Sequence, residues 1–146
     1  MRISKLYLLS VLSLIFSNYC LSQSLESSKD PIQDTINLYN TAPTVSIHTD
    51  PWDETVWPTP WELIQENQYC EFCIVLAMCY SLQLTERFSG SNFEIHIVID
   101  NKNSTYNYLL YVDKTLIGYP IGVEHYAKSK PDELEIKKKY SMPKLQ

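Results

Sequence analysis

Residues 67–81, NQYCEFCIVLAMCYS, set three cysteines, Cys70, Cys73 and Cys79, at the start and within an apolar run. From Phe72 to Tyr80 nearly every residue is apolar, so the segment has no solvent-facing stripe. A helix of that kind is surrounded by protein. The stretch is therefore predicted to be the helix on which the fold is built. Four readings of its thiols are open: a nucleophile, a redox pair, a metal ligand or small apolar filler.

Upstream of this run, Thr59 is a suitable N-cap, Pro60 suits a first helical position, and Glu62 stands at the capping-box position. Trp61, Leu63 and Ile64 supply the apolar side of a short helix that Asn67-Gln68 is expected to interrupt. Before it, NLYNTAPTVSIHTDPWDETVWPTP carries prolines at 43, 51, 58 and 60, too many for regular helix. Trp52 and Trp57 are expected to pin this strap onto the core, the alternative being an aromatic binding surface. Residues 23–35 are polar and read as a flexible lead-in.

Downstream, FEIHIVID (93–100) alternates and is rich in β-branched residues, NKNST is a turn signal, and YNYLLYVD (106–113) and TLIGYPIG (115–122) read as further strands. Short connections make them an antiparallel meander. The tail from Lys128 is of mixed charge and is expected to form a short surface helix or an edge strand. The fold class is thus α+β: a buried helix with cysteine at its N-terminus, packed on an antiparallel sheet of three to four strands.

The N-terminus begins MRISK and continues with the apolar LYLLSVLSLIF. Residues 1–22 are accordingly read as a signal peptide. The apolar run falls short of the roughly 20 residues of a membrane span. Cys20 raises lipidation, but the bulky Tyr19 stands close before it where such signals carry a small residue. The chain then divides into the leader, a Pro-rich lead-in at 23–58, a core at 59–127 and a charged tail at 128–146.

Export implies a secreted or periplasmic protein in an oxidising setting. Three cysteines would remain, so at least one has no intramolecular partner, which allows a homodimer through an intermolecular disulfide. Removing Arg2 and Lys5 leaves 10 basic and 17 acidic side chains, and the formal charge moves from −5 to −7. Nucleic acid is excluded as the main partner, because phosphate binding needs a basic surface. No membrane association is expected once the leader is gone.

The segment WPTPWELIQENQYCEFCIVLAMCYSLQL, followed by IHIVIDNKNSTYNYLLYVDKTLIGYP, resembles the core of transglutaminase-like, papain-fold proteins over roughly residues 57–120. That family opens a buried helix with a Gly-Asp-Cys-Glu type motif, then sets a His on one strand and an Asp, often before Pro, on the next. The resemblance puts Cys70 at the nucleophile and Glu71 at the acidic residue after it. Gln68 and Tyr69 replace the Gly and Asp, Tyr106 or Asn107 stands where the His belongs, and Tyr119 replaces the Asp before Pro120. It therefore implies the fold and a degenerate member: a non-catalytic module that binds a protein or peptide in its cleft. Trp57, Trp61, Tyr69, Glu71, Asn107 and Tyr119 are the candidate binding residues.

Two rival readings stay open. One is a cysteine peptidase or acyltransferase using Cys70 with a displaced histidine as base. His96 is the candidate, on a strand where Ile95, Ile97 and Ile99 share one side and Glu94, His96 and Val98 the other. His48, in the strap, and His125, past the third strand, could also fold back. The other rival is a thiol–disulfide protein using Cys70 and Cys73, although the βαβ context of thioredoxin-like CxxC motifs is missing. Neither metal nor cofactor is expected, since there is no second CxxC or HxxxH to complete a zinc site.

Three smaller features complete the reading. Asn103-Ser104-Thr105 matches a glycosylation sequon. Alternating tyrosines on the second strand suit a half-exposed strand or a contact surface. The Lys137-Lys138-Lys139 run reads as solvated surface.

Overall fold

The computed structural model describes residues 24–40, 49–65, 69–119 and 134–144. The leader at 1–22 with Cys20, and the histidines at 48 and 125, lie outside the described residues. The elements run α1 (Pro31–Asn40), α2 (Pro60–Gln65), α3 (Glu71–Gln83), β1 (Phe93–Asp100), β2 (Thr105–Val112), β3 (Thr115–Tyr119) and β4 (Leu134–Ser141). The protein is α+β, with its helices beside one antiparallel sheet of strand order β3-β2-β1-β4.

The apolar run becomes α3, and ten of its thirteen residues are buried, Phe72 to Cys79, Ser81 and Leu82 among them. Neighbours account for the missing polar stripe. Ile36 of α1 and Leu63 of α2 join it on the helical side, while Ile95, Leu110, Val112 and Ile117 meet it from the sheet. Full burial of a side chain such as Phe72 or Leu76 contributes about 1.5–3 kcal/mol each. Thr59 caps α2 as its sequence implies, its hydroxyl accepting the Glu62 amide at 3.3 Å.

The lead-in departs from expectation. Instead of a flexible segment, Pro31–Asn40 is helical, with Thr35 and Ile36 buried. Asp30-Pro31 explains it, because the Asp30 carboxylate accepts the Gln33 amide at 3.1 Å and proline needs no helical donor in the first turn. Arg87 ties the chain before α1 down, its guanidinium donating to the carbonyls of Leu25, Glu26 and Ser28.

In the sheet, β1 is flanked by β2 and β4, all antiparallel. The charged tail thus supplies an edge strand. Its sequence LEIKKKYS would put Ile136 and Tyr140 on the same side if it ran regularly. A bulge beside Ile97 and Val98 breaks the register, so that Tyr140 pairs with Ile95 and Ile136 with Val98. Each apolar side chain thereby reaches a different face. Asp113, in the β2–β3 turn, has a left-handed φ of 54°. It is held there by Asn92, which accepts the Asp113 amide at 2.7 Å and donates its own to the carboxylate at 3.0 Å.

Candidate functional site

Cys70 is the N-cap of α3, with extended backbone angles (φ −73°, ψ 164°), and its sulfur accepts the Cys73 amide at 3.3 Å. The sulfur therefore sits over the first turn, where unpaired amides and the positive end of the helix dipole converge. Cys73, one turn on, donates its thiol to the Thr49 hydroxyl at 3.5 Å. The hydrogen bond to Cys70 and then burial push the Cys73 thiol far up from its ordinary pKa. Burial alone does the same to Cys79. None of the three forms a disulfide.

Beneath this turn lies an aromatic stack. Trp57 packs between Phe72 and Tyr140, at 5.0 and 4.8 Å between centroids, and Tyr108 meets Phe72 at 5.2 Å. Burial raises the Tyr108 pKa first, and the negative charges of Glu71, Cys70 and Asp50 add to it. Tyr108 thus shares the electrostatic neighbourhood of Cys70. It is a poor general base, being a protonated phenol at any ordinary pH.

His96 does not reach this place. It pairs with Leu109, whereas Ile95 pairs with Leu110. Ile95 and Leu110 belong to the core that holds Cys70, and Leu109 belongs with Val98 and Leu116 on the opposite face. The sheet separates the imidazole from the thiol, which removes His96 as the base for Cys70. Its ring packs 4.4 Å from Tyr111, with Nε2 3.1 Å from the Glu94 carboxylate. No other histidine occurs among the described residues.

The other candidates separate in the same way. Trp57 is half-buried and pinned by its indole N–H donating to the Asp50 carbonyl at 3.1 Å. Glu71 is exposed beside Cys70, and Trp61 is exposed on α2. Tyr69 faces Tyr39 edge-on at 6.1 Å. Asn107 pairs with Val98 on the far face. Tyr119 pairs through its backbone with Tyr108 at the end of β3, its side chain lying outside the described part.

Between the strap, α3 and the end of β4 lies a cleft of about 230 Å³ lined by residues that include Glu54, Trp57, Pro58, Tyr80 and Met142. In its lining Tyr80 donates to the Pro58 carbonyl at 3.0 Å, and burial pushes its phenol up to about 12. Elsewhere on the strap, Trp52 meets Tyr106 of β2 in edge contact at 5.7 Å, the two being 47% and 49% exposed. The charges of Glu54, Asp50 and Asp53 raise the Tyr140 pKa after burial has done so. The Tyr140 hydroxyl is buried without a hydrogen-bond partner among the described residues.

Trp52 was legible as an aromatic candidate, but its contact with Tyr106 bridges the strap and β2 and leaves no local signature. Among the described residues no cluster of three metal-ligating side chains occurs, and no helix is long and apolar enough to cross a membrane. Neither protein-family models nor curated proteins give a match to this chain.

Proposed function

We propose that the protein is a non-catalytic binding module, acting outside the cytoplasm after loss of residues 1–22, which takes an extended cationic peptide segment along its strap. The observation that carries this reading is the 230 Å³ cleft lined by the carboxylate of Glu54 together with Trp57, Pro58 and Met142. Lysine and arginine present an aliphatic stem and a charged head. The stem would pack on Trp57, Pro58 and Met142, and the head would meet Glu54, with Asp50 and Asp53 adding negative potential. Exposed aromatic faces also attract cations directly. An extended, proline-containing ligand suits an aromatic groove because little chain entropy is lost on docking.

The finer likeness to a papain-like core belongs to the same reading. A cysteine opens a buried helix set on an antiparallel sheet, while a tyrosine, Tyr108, takes the side of the thiol. His96, on the other face of the sheet, does not serve that thiol as a base for acyl transfer.

The test is a tryptophan-fluorescence titration of the purified protein with a short Lys-Pro repeat peptide and with its Glu-Pro counterpart. Saturable binding of the lysine peptide alone, weakening as salt is raised, supports the proposal. Equal response to both peptides, or to neither, overturns it.

A further inference from the structure

The binding surface leaves the two thiols at the start of α3 unused. We infer that Cys70 and Cys73 are a dithiol–disulfide couple that exchanges with low-molecular-weight disulfides, Cys70 attacking and Cys73 resolving. Residues three apart at a helix start are neighbours on one side, about 5–6 Å between Cβ atoms, so the first turn tightens by about 1–2 Å to reach the roughly 3.5–4.5 Å of a disulfide. The Cys70 sulfur already leans over that turn, 3.3 Å from the Cys73 amide nitrogen. Cys79 is excluded as a partner, because six further residues of helix place it about 9 Å along the axis from Cys73.

The two sulfurs differ in the way the exchange requires. Cys70 faces amide donors at the positive end of the helix, which support negative charge on an attacking sulfur. Cys73 keeps its proton, held by its hydrogen bond to Cys70 and by burial. The Cys70 thiolate attacks one sulfur of R–S–S–R, forming a Cys70–S–R bond as R–S⁻ leaves. Cys73 then gives up its proton to the departing R–S⁻ and attacks the Cys70 sulfur. The Cys70–Cys73 bond forms and the second R–S⁻ is expelled, to take the proton that Cys70 released on ionising. Two protein thiols are oxidised and one disulfide is reduced to two thiols. Cys70 and Cys73 are each 3% exposed as residues, so a slender disulfide is the suitable oxidant rather than one set in a folded protein.

The test exposes the folded, purified protein to oxidised glutathione, quenches with acid, blocks remaining thiols and maps the cysteine peptides by mass. The couple predicts a Cys70–Cys73 link with Cys79 unmodified, reversed by dithiothreitol. Cys73→Ala is expected to stop at a mixed disulfide on Cys70, and Cys70→Ala to leave Cys73 unmodified. Absence of the link in the wild-type protein overturns the inference, whatever the variants do. So does glutathione on Cys73 in preference to Cys70, or a link to Cys79 or to a second chain.

Discussion

The Tyr108 ring meets Phe72 edge-on, 5.2 Å between centroids, which sets a phenol rather than an imidazole under the first turn of α3. His96 lies on the opposite face of the sheet and is out of reach as a base for Cys70. Hydrolysis of an activated ester such as p-nitrophenyl acetate is therefore expected to be the same for the wild type and Cys70→Ala. A turnover that Cys70→Ala abolishes would restore the acyl-transfer reading.

Trp52 and Trp57 sit five residues apart with opposite roles. Trp57→Ala empties the space between Phe72 and Tyr140 and is expected to cost about 3 kcal/mol, seen as a lowered urea midpoint. Trp52→Ala removes a half-exposed ring and is expected to leave stability within about 0.5 kcal/mol. It should weaken binding of the Lys-Pro peptide roughly tenfold, about 1.4 kcal/mol. A reversed pattern would move the binding surface elsewhere.

Burial lowers the His96 pKa from its ordinary 6.5, against the opposing pull of Glu94 and with the help of Lys139. Its Nδ1 is buried with no hydrogen-bond partner among the described residues, and Tyr111 covers the ring. The unfolded chain binds a proton that the folded chain resists. Stability from this group is full above about pH 6.5 and is lost as pH falls below it. His96→Leu is expected to remove that share of the acid-side decline in urea melts at a series of pH values. An unchanged decline would assign it to other groups.

The bulge in β4 adds one residue among three consecutive lysines. Deleting one lysine restores a regular ladder while keeping Tyr140 opposite Ile95 and Ile136 opposite Val98. Thermal melts are expected to show the shortened protein within about 1 kcal/mol of wild type, since neither face changes its apolar side chains. Loss of cooperative unfolding would mean that the bulge itself, and not the pairing it preserves, is required.

Legibility followed sequence range. The apolar run of α3, the Thr59-Pro60 start of α2 and the alternation of FEIHIVID are local signals, and each element formed where it was expected. The helix Pro31–Asn40 was hidden by its polar composition, although Asp30-Pro31 carried the cap. His96 was correctly separated from Ile95 and Ile97 by alternation. Which face held Cys70 could not be read, because Val98 gives the His96 side an apolar core of its own. The cleft was illegible for a different reason: the strap, the last turn of α3 and residues 141–143 meet only in three dimensions.

The most direct test of the binding reading is a titration of the isotopically labelled protein with the Lys-Pro peptide, followed by amide chemical shifts. The account predicts shifts concentrated at residues 50–57, Tyr80, Tyr106 and 141–143, fading as salt is raised. Shifts confined to the opposite face around Val98 and Leu116, or none at saturating peptide, would contradict it.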